Sequence, residues 1–176
     1  MLDKKQQADV ARAADAVAAA LRDAVQVTVD EHTPDAARHA VFAIVETGTR
    51  TPTPDGGNPA AMMATYLLLH QLTLVREALA DRPDRVAEIL AWIEENLGKR
   101  PRLRARYTSE ALVNEEGIEE IAAYAEGLGP DFMPSMLWLL AGAVALHGDG
   151  DAEWITRLQE ARIARDATEL QGAEAP

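Results

Sequence analysis

The sequence predicts an all-α fold: a single-domain bundle of about six to seven helices around two apolar central helices, residues 59–80 and 131–147. Three observations lead there. Residues 136–146 (MLWLLAGAVAL) carry no charge and no polar face, and a helix apolar all round is one that other helices surround. Elsewhere apolar residues recur three and four apart, the spacing of a helix face. Helix starts of the cap-then-proline kind (Thr33-Pro34, Asn58-Pro59) alternate with glycine stops (Gly48, Gly98, Gly148) at helix-length intervals.

Bulk composition agrees. At 176 residues, 48% of them apolar, the chain can bury one sizeable core and is expected to form one domain over residues 1–176. A net charge of -12 opposes general affinity for nucleic acid or an anionic membrane, and it suits a basic protein partner. With no cysteine, disulfides, thiolate metal sites and thiol nucleophiles are excluded. The first thirty residues carry Asp9, Arg12, Asp15, Arg22 and Asp23 and no continuous apolar core, unlike a signal peptide, so a cytoplasmic location is expected.

In chain order, residues 3–29 read as an alanine-rich helix with Val10, Ala14, Val17, Leu21 and Val25 on one narrow stripe. Such a helix (residues 1–30) suits an arm or a homodimerisation element. Residues 25–29 alternate as a strand would, but five residues beside so much helix are read as its continuation. Thr33-Pro34-Asp35 opens a second helix with Ala37, Val41, Ile44 and Val45 inward, ending at Gly48. Residues 49–58 (TRTPTPDGGN) are expected to be a loop.

The third helix starts at Asn58-Pro59. Its first half is apolar on several sides, so it is expected deeper than the second, where only Leu68, Leu72, Val75 and Leu79 continue. The fourth carries Val86, Ile89, Leu90, Ile93 and Leu97 and closes at Gly98. Residues 99–106 (KRPRLRAR) read as an exposed interhelical segment whose arginines pair with nearby glutamates, and Thr108 or Ser109 as the start of a short turn. A fifth helix follows over 114–127, with Ile118, Ile121, Ala122 and Ala125 inward. Pro130 starts the central helix, and residues 148–151 (GDGD) end it and cap a last helix with Trp154, Ile155 and Leu158 inward. Residues 171–176 are expected to fray.

The chemistry-bearing residues are few. Asp35 and His39 share a face, but Glu-x-x-His and His-Glu-x-x-His are both absent, so no metal site is assigned. Glu115, Glu116, Glu119 and Glu120 resemble the Glu-Glu-x-x-Glu element of all-helical nucleotide pyrophosphohydrolases, which bind magnesium with it. The companion Glu-x-x-Asp on the next helix is missing, where Asp131 stands alone, so the cluster is read as a charged outer face. No Gly-x-Ser-x-Gly, Walker A or Gly-x-Gly-x-x-Gly occurs, and of the two serines, Ser109 and Ser135, the second stands beside Pro134 in the first turn of a buried helix, where a capping role suffices. No catalytic residue and no cofactor is assigned, and the chain reads against an enzyme.

Two candidate sites remain. Tyr66, His70 and Trp138 could line a ligand pocket between the two apolar helices. Lys99, Arg100, Arg102, Arg104, Arg106 and Tyr107 could contact phosphate or a partner. The functional expectation is a non-enzymatic, acidic helical interaction module: an accessory, adaptor or neutralising protein for a basic partner. The alternatives are a small-molecule-binding bundle, or a regulator touching nucleic acid through residues 99–106.

Overall fold

The computed structural model describes residues 4–50, 59–79, 83–113 and 127–173. Among them are seven α-helices: α1 (Lys4–Glu31), α2 (Pro34–Arg50), α3 (Pro59–Leu79), α4 (Pro83–Asn96), α5 (Lys99–Val113), α6 (Phe132–His147) and α7 (Glu153–Ala173). A 3-10 turn, Gly129–Asp131, leads into α6. Residues 51–58 of the loop expected over 49–58, residues 114–126 of the helix expected over 114–127 with its glutamate cluster, and residues 174–176 of the tail lie outside the described residues; residues 49 and 50 belong to α2, and residues 171–173 to α7.

The central position expected for residues 131–147 holds. Helix α6 packs against each of α1, α2, α3, α4 and α5. Met136, Leu137, Trp138, Leu139, Leu140 and Val144 are all buried, each contributing about 1.5–3 kcal/mol of apolar burial. Among the described residues, Gly129–His147 is the one stretch long and apolar enough to cross a membrane, and 72% of its most apolar window is covered by the other helices. The second apolar helix, α3, lies directly against it.

Around α6 the remaining helices use narrower stripes. On α1, Val17, Leu21, Ala24 and Val25 are buried, and the helix packs on α2 and α6. The predicted stripe is therefore spent within the chain from Val17 onward, and the alternating run at 25–29 is helical. Gln26 fixes the same helix to the turn before α7. Its amide nitrogen donates to the Gly150 carbonyl at 3.0 Å, and its amide oxygen accepts from Ala152 N–H at 2.9 Å. Helix α2 begins at Pro34, where Thr33 Oγ1 accepts from the Asp35 N–H at 3.4 Å, and it runs two residues past the glycine stop expected at Gly48. Helix α4 ends as expected, with Gly98 at φ 101°, a left-handed conformation that favours glycine, and its N–H bonded to the Ile93 carbonyl. Asp151 caps α7 through Oδ1 to the Glu153 N–H at 2.9 Å.

Two expectations are corrected. Residues 99–106 are not an interhelical segment but the first half of α5. The reason is a stripe of small and apolar residues under the arginines: Pro101, Ala105, Thr108 and Leu112 are all buried at helical spacing. Ser135 does not cap its helix. Its hydroxyl bonds back to the Phe132 carbonyl and across to Thr108 on α5, both at 2.5 Å, and so clasps α5 to α6. The second half of α3 lies partly on the surface as expected, with Leu72, Val75 and Leu79 buried and Arg76 exposed, and Gln71, Leu74 and Ala78 are buried beside that stripe.

Gln71 stands out in this core. It is 0% exposed, and among the described residues neither polar atom of its amide has a hydrogen-bond partner. A buried polar group without a partner costs about 1–3 kcal/mol, whereas an apolar side chain of the same shape costs nothing comparable. Gln71→Met, close to isosteric, is expected to raise the unfolding free energy by about 1–2 kcal/mol in denaturant titration. A loss of stability in that variant would show that the amide does find a partner.

Candidate functional site

Two polar constellations sit on the surface of this bundle. The first lies between α1 and α2. Ala20 and Ala24 on α1 face Ala36 and Ala40 on α2, each pair one helical turn apart, so small side chains line both walls where the helices meet. They border an open groove of about 540 Å³ that is also lined by Val27, Thr33, His39 and the acids Asp23, Glu31 and Asp35. Asp23, Val27 and Glu31 recur at i, i+4 and i+8 along the groove, all exposed. Phe42, two turns beyond Asp35 on the same face of α2, is 72% exposed. Among the described residues no lysine or arginine lines the groove, although Arg38 pairs with the lining Asp35. The surface is therefore apolar in its walls and acidic along its edge.

The second constellation joins α2, α5 and the start of α6. Asp131 is only 4% exposed, yet it meets three arginines. Its Oδ1 accepts from Arg38 Nε at 3.0 Å, its Oδ2 accepts from Arg100 at 3.3 Å, and Arg104 Nε lies 3.7 Å from the same Oδ2. Arg38 also donates to Asp35 at 2.8 Å and stacks over the Trp138 ring, 5.2 Å from its centroid. Burial alone would lower the Arg38 pKa, but its hydrogen bonds to Asp131 and Asp35 hold it above the ordinary value, so the guanidinium stays charged. Asp131 occupies the N-cap of α6 but makes no capping bond, because its carboxylate is turned to the arginines.

The predicted site residues are distributed as follows. Tyr66 and His70, one turn apart on α3, stack with centroids 6.0 Å apart, and the Gln159 amide of α7 donates to His70 Nε2 at 3.1 Å. Burial, then the nearby Arg162 charge, holds the His70 imidazole below the ordinary value of 6.5; burial, then Asp15, pushes the Tyr66 phenol up. Trp138 is 0% exposed, and its indole N–H donates to the Pro34 carbonyl at 3.2 Å. The structure thus engages Trp138 with α2 and His70 with α7. Of the basic run, Arg100 and Arg104 join the Asp131 cluster. Arg102 instead pairs with Glu94 at 2.8 Å, and Arg106 with Glu110 at 3.4 Å while lying over Tyr107. Lys99 is exposed at the start of α5. Asp35 and His39, weighed as metal ligands, line the acidic groove, and Asp35 is taken by Arg38.

Sequence reasoning missed Arg38 and Asp131 as site residues. They lie 93 positions apart, and nothing local to either signals the other. The groove had a readable trace, the outward Asp23, Val27 and Glu31 spacing on an alanine-rich helix. Comparison of the chain with family models, with curated proteins and with solved structures gives no match.

Proposed function

We propose that this chain is a non-enzymatic helical binding module whose α1–α2 groove receives a basic amphipathic helix of a partner protein. The observation that carries the reading is the groove itself: alanine walls with exposed Val27, edged by the exposed acids Asp23 and Glu31, while Asp35, also in the lining, is paired with Arg38. An amphipathic helix lays its apolar face into such a groove, and its flanking lysines or arginines meet the acidic edge. The net charge of -12 would steer a basic partner toward the molecule and repel an acidic one.

The test uses two labelled synthetic helices with the same leucine face, one flanked by lysine and the other by glutamate, titrated with the full chain in fluorescence anisotropy. The lysine helix is expected to bind, more weakly as salt rises, and the glutamate helix to bind at least about tenfold less tightly. Asp23→Lys with Glu31→Lys, both exposed and outside the core, is expected to abolish the preference. Equal binding of the two helices, or a preference that survives both reversals, would rule out the groove as the docking surface.

A further inference from the structure

We infer that the arginine cluster at the junction of α2, α5 and α6, which adjoins the α1–α2 groove at Asp35, is a binding site for a phosphate group. Charge and donor counts carry the inference. Three guanidiniums face one buried carboxylate, and among the described residues the one other acid in the cluster, Asp35, pairs with Arg38 alone. Arg100 and Arg104 converge on a single oxygen, Asp131 Oδ2, although each guanidinium offers five N–H donors in a planar fork. The cluster therefore holds surplus positive charge and surplus donors, in a protein whose overall charge is -12.

These donors can reach a ligand. The Arg100 side chain is 73% exposed, and those of Arg38 and Arg104 are each 32% exposed. Asp131 orients them from below, while the positive end of α6 adds to the same field. A phosphate group fits this chemistry better than a carboxylate. Its three or four oxygens can accept from two arginine forks at once, where a carboxylate offers only two, and it covers the one positive charge left over by three guanidiniums and two carboxylates. Arg38 is held on the face of Trp138, and Arg104 sits on a helix whose buried stripe anchors it, so two of the three guanidiniums are positioned before any ligand arrives.

The test is calorimetric titration of the full chain with inorganic phosphate and with a simple phosphate monoester, against sodium chloride at matched ionic strength. Both phosphates are expected to release or absorb heat saturably and to raise the thermal midpoint above the chloride control. Tighter binding of the monoester would identify an esterified phosphate as the source, and equal binding would identify the free ion. Arg100→Ala is expected to weaken binding about tenfold, the usual cost of one charge-assisted contact. Arg102→Ala, which removes a guanidinium already paired with Glu94, is expected to leave it unchanged. Identical midpoints in phosphate and chloride would overturn the inference. So would equal losses in the Arg100 and Arg102 variants, because that pattern belongs to diffuse charge and not to a site.

Discussion

Gly142→Val is expected to destabilise the fold by about 3 kcal/mol or more, the largest effect of any single substitution proposed for this protein. Gly142 lies inside α6, against Ile89 and Trp92 of α4. A Cβ at that position would stand 2.8 Å from Ile89 Cγ2 and 3.4 Å from both the Ile89 carbonyl oxygen and Trp92 Cε3. Ile89 is 0% exposed and β-branched, so its methyl cannot swing aside. Valine adds two further methyls to a contact already closed. Gly142→Ala should show the two opposing terms separately. It gains about 1 kcal/mol in helix propensity and loses about 1–3 kcal/mol to overpacking, for a modest net loss. Ile89→Ala removes the clashing methyl. It costs about 2–5 kcal/mol alone, but with Gly142→Ala the pair should lose less than the sum. Strict additivity in that double-mutant cycle, measured by denaturant unfolding, would mean that α4 and α6 do not touch at this point.

The next largest effect is expected at Asp131. Asp131→Ala leaves Arg38, Arg100 and Arg104 facing one another with no shared carboxylate. Removing one partner of a buried ion pair costs about 3–5 kcal/mol. The arginines here are between 32% and 73% exposed, so water screens part of the repulsion and about 2–3 kcal/mol is expected. Asp131→Asn keeps the shape and should cost nearly as much, because the charge is what gathers the arginines. Added salt should narrow the gap between variant and parent by screening the exposed cations. A difference from the parent below about 0.5 kcal/mol would assign the cluster no part in holding α2, α5 and α6 together.

Legibility of the fold in the sequence depended on how strongly each helix announces its buried face. Helix α6 was readable because residues 136–146 contain nothing that tolerates water, and α4 because its five large apolar residues keep one stripe. Helix α5 was hidden. Its buried stripe is made of Pro101, Ala105, Thr108 and Leu112, only one of them a large apolar residue, and arginines dominate the letters between them. The same uniformity that made α6 easy to find concealed its orientation. A helix apolar on all sides does not say which neighbour Trp138 meets, and the tertiary structure turned it to Pro34 and Arg38 on α2. The candidate site was legible only in pieces. The basic run was visible in the sequence, but Arg100 and Arg104 are sorted from Arg102 and Arg106 by helix geometry and by a carboxylate from another segment.

By itself the sequence determined that this chain is helical, where most of its helices begin and end, and which of them lies at the centre, because those properties follow from local periodicity, capping and the cost of wetting apolar side chains. Only the tertiary structure decided which residues meet. It brought Arg38 to Asp131 across 93 positions and left α1 and α2 apart enough to open an acidic groove. Such pairings depend on how several helices pack against α6 at once, and no local stretch of sequence encodes that arrangement.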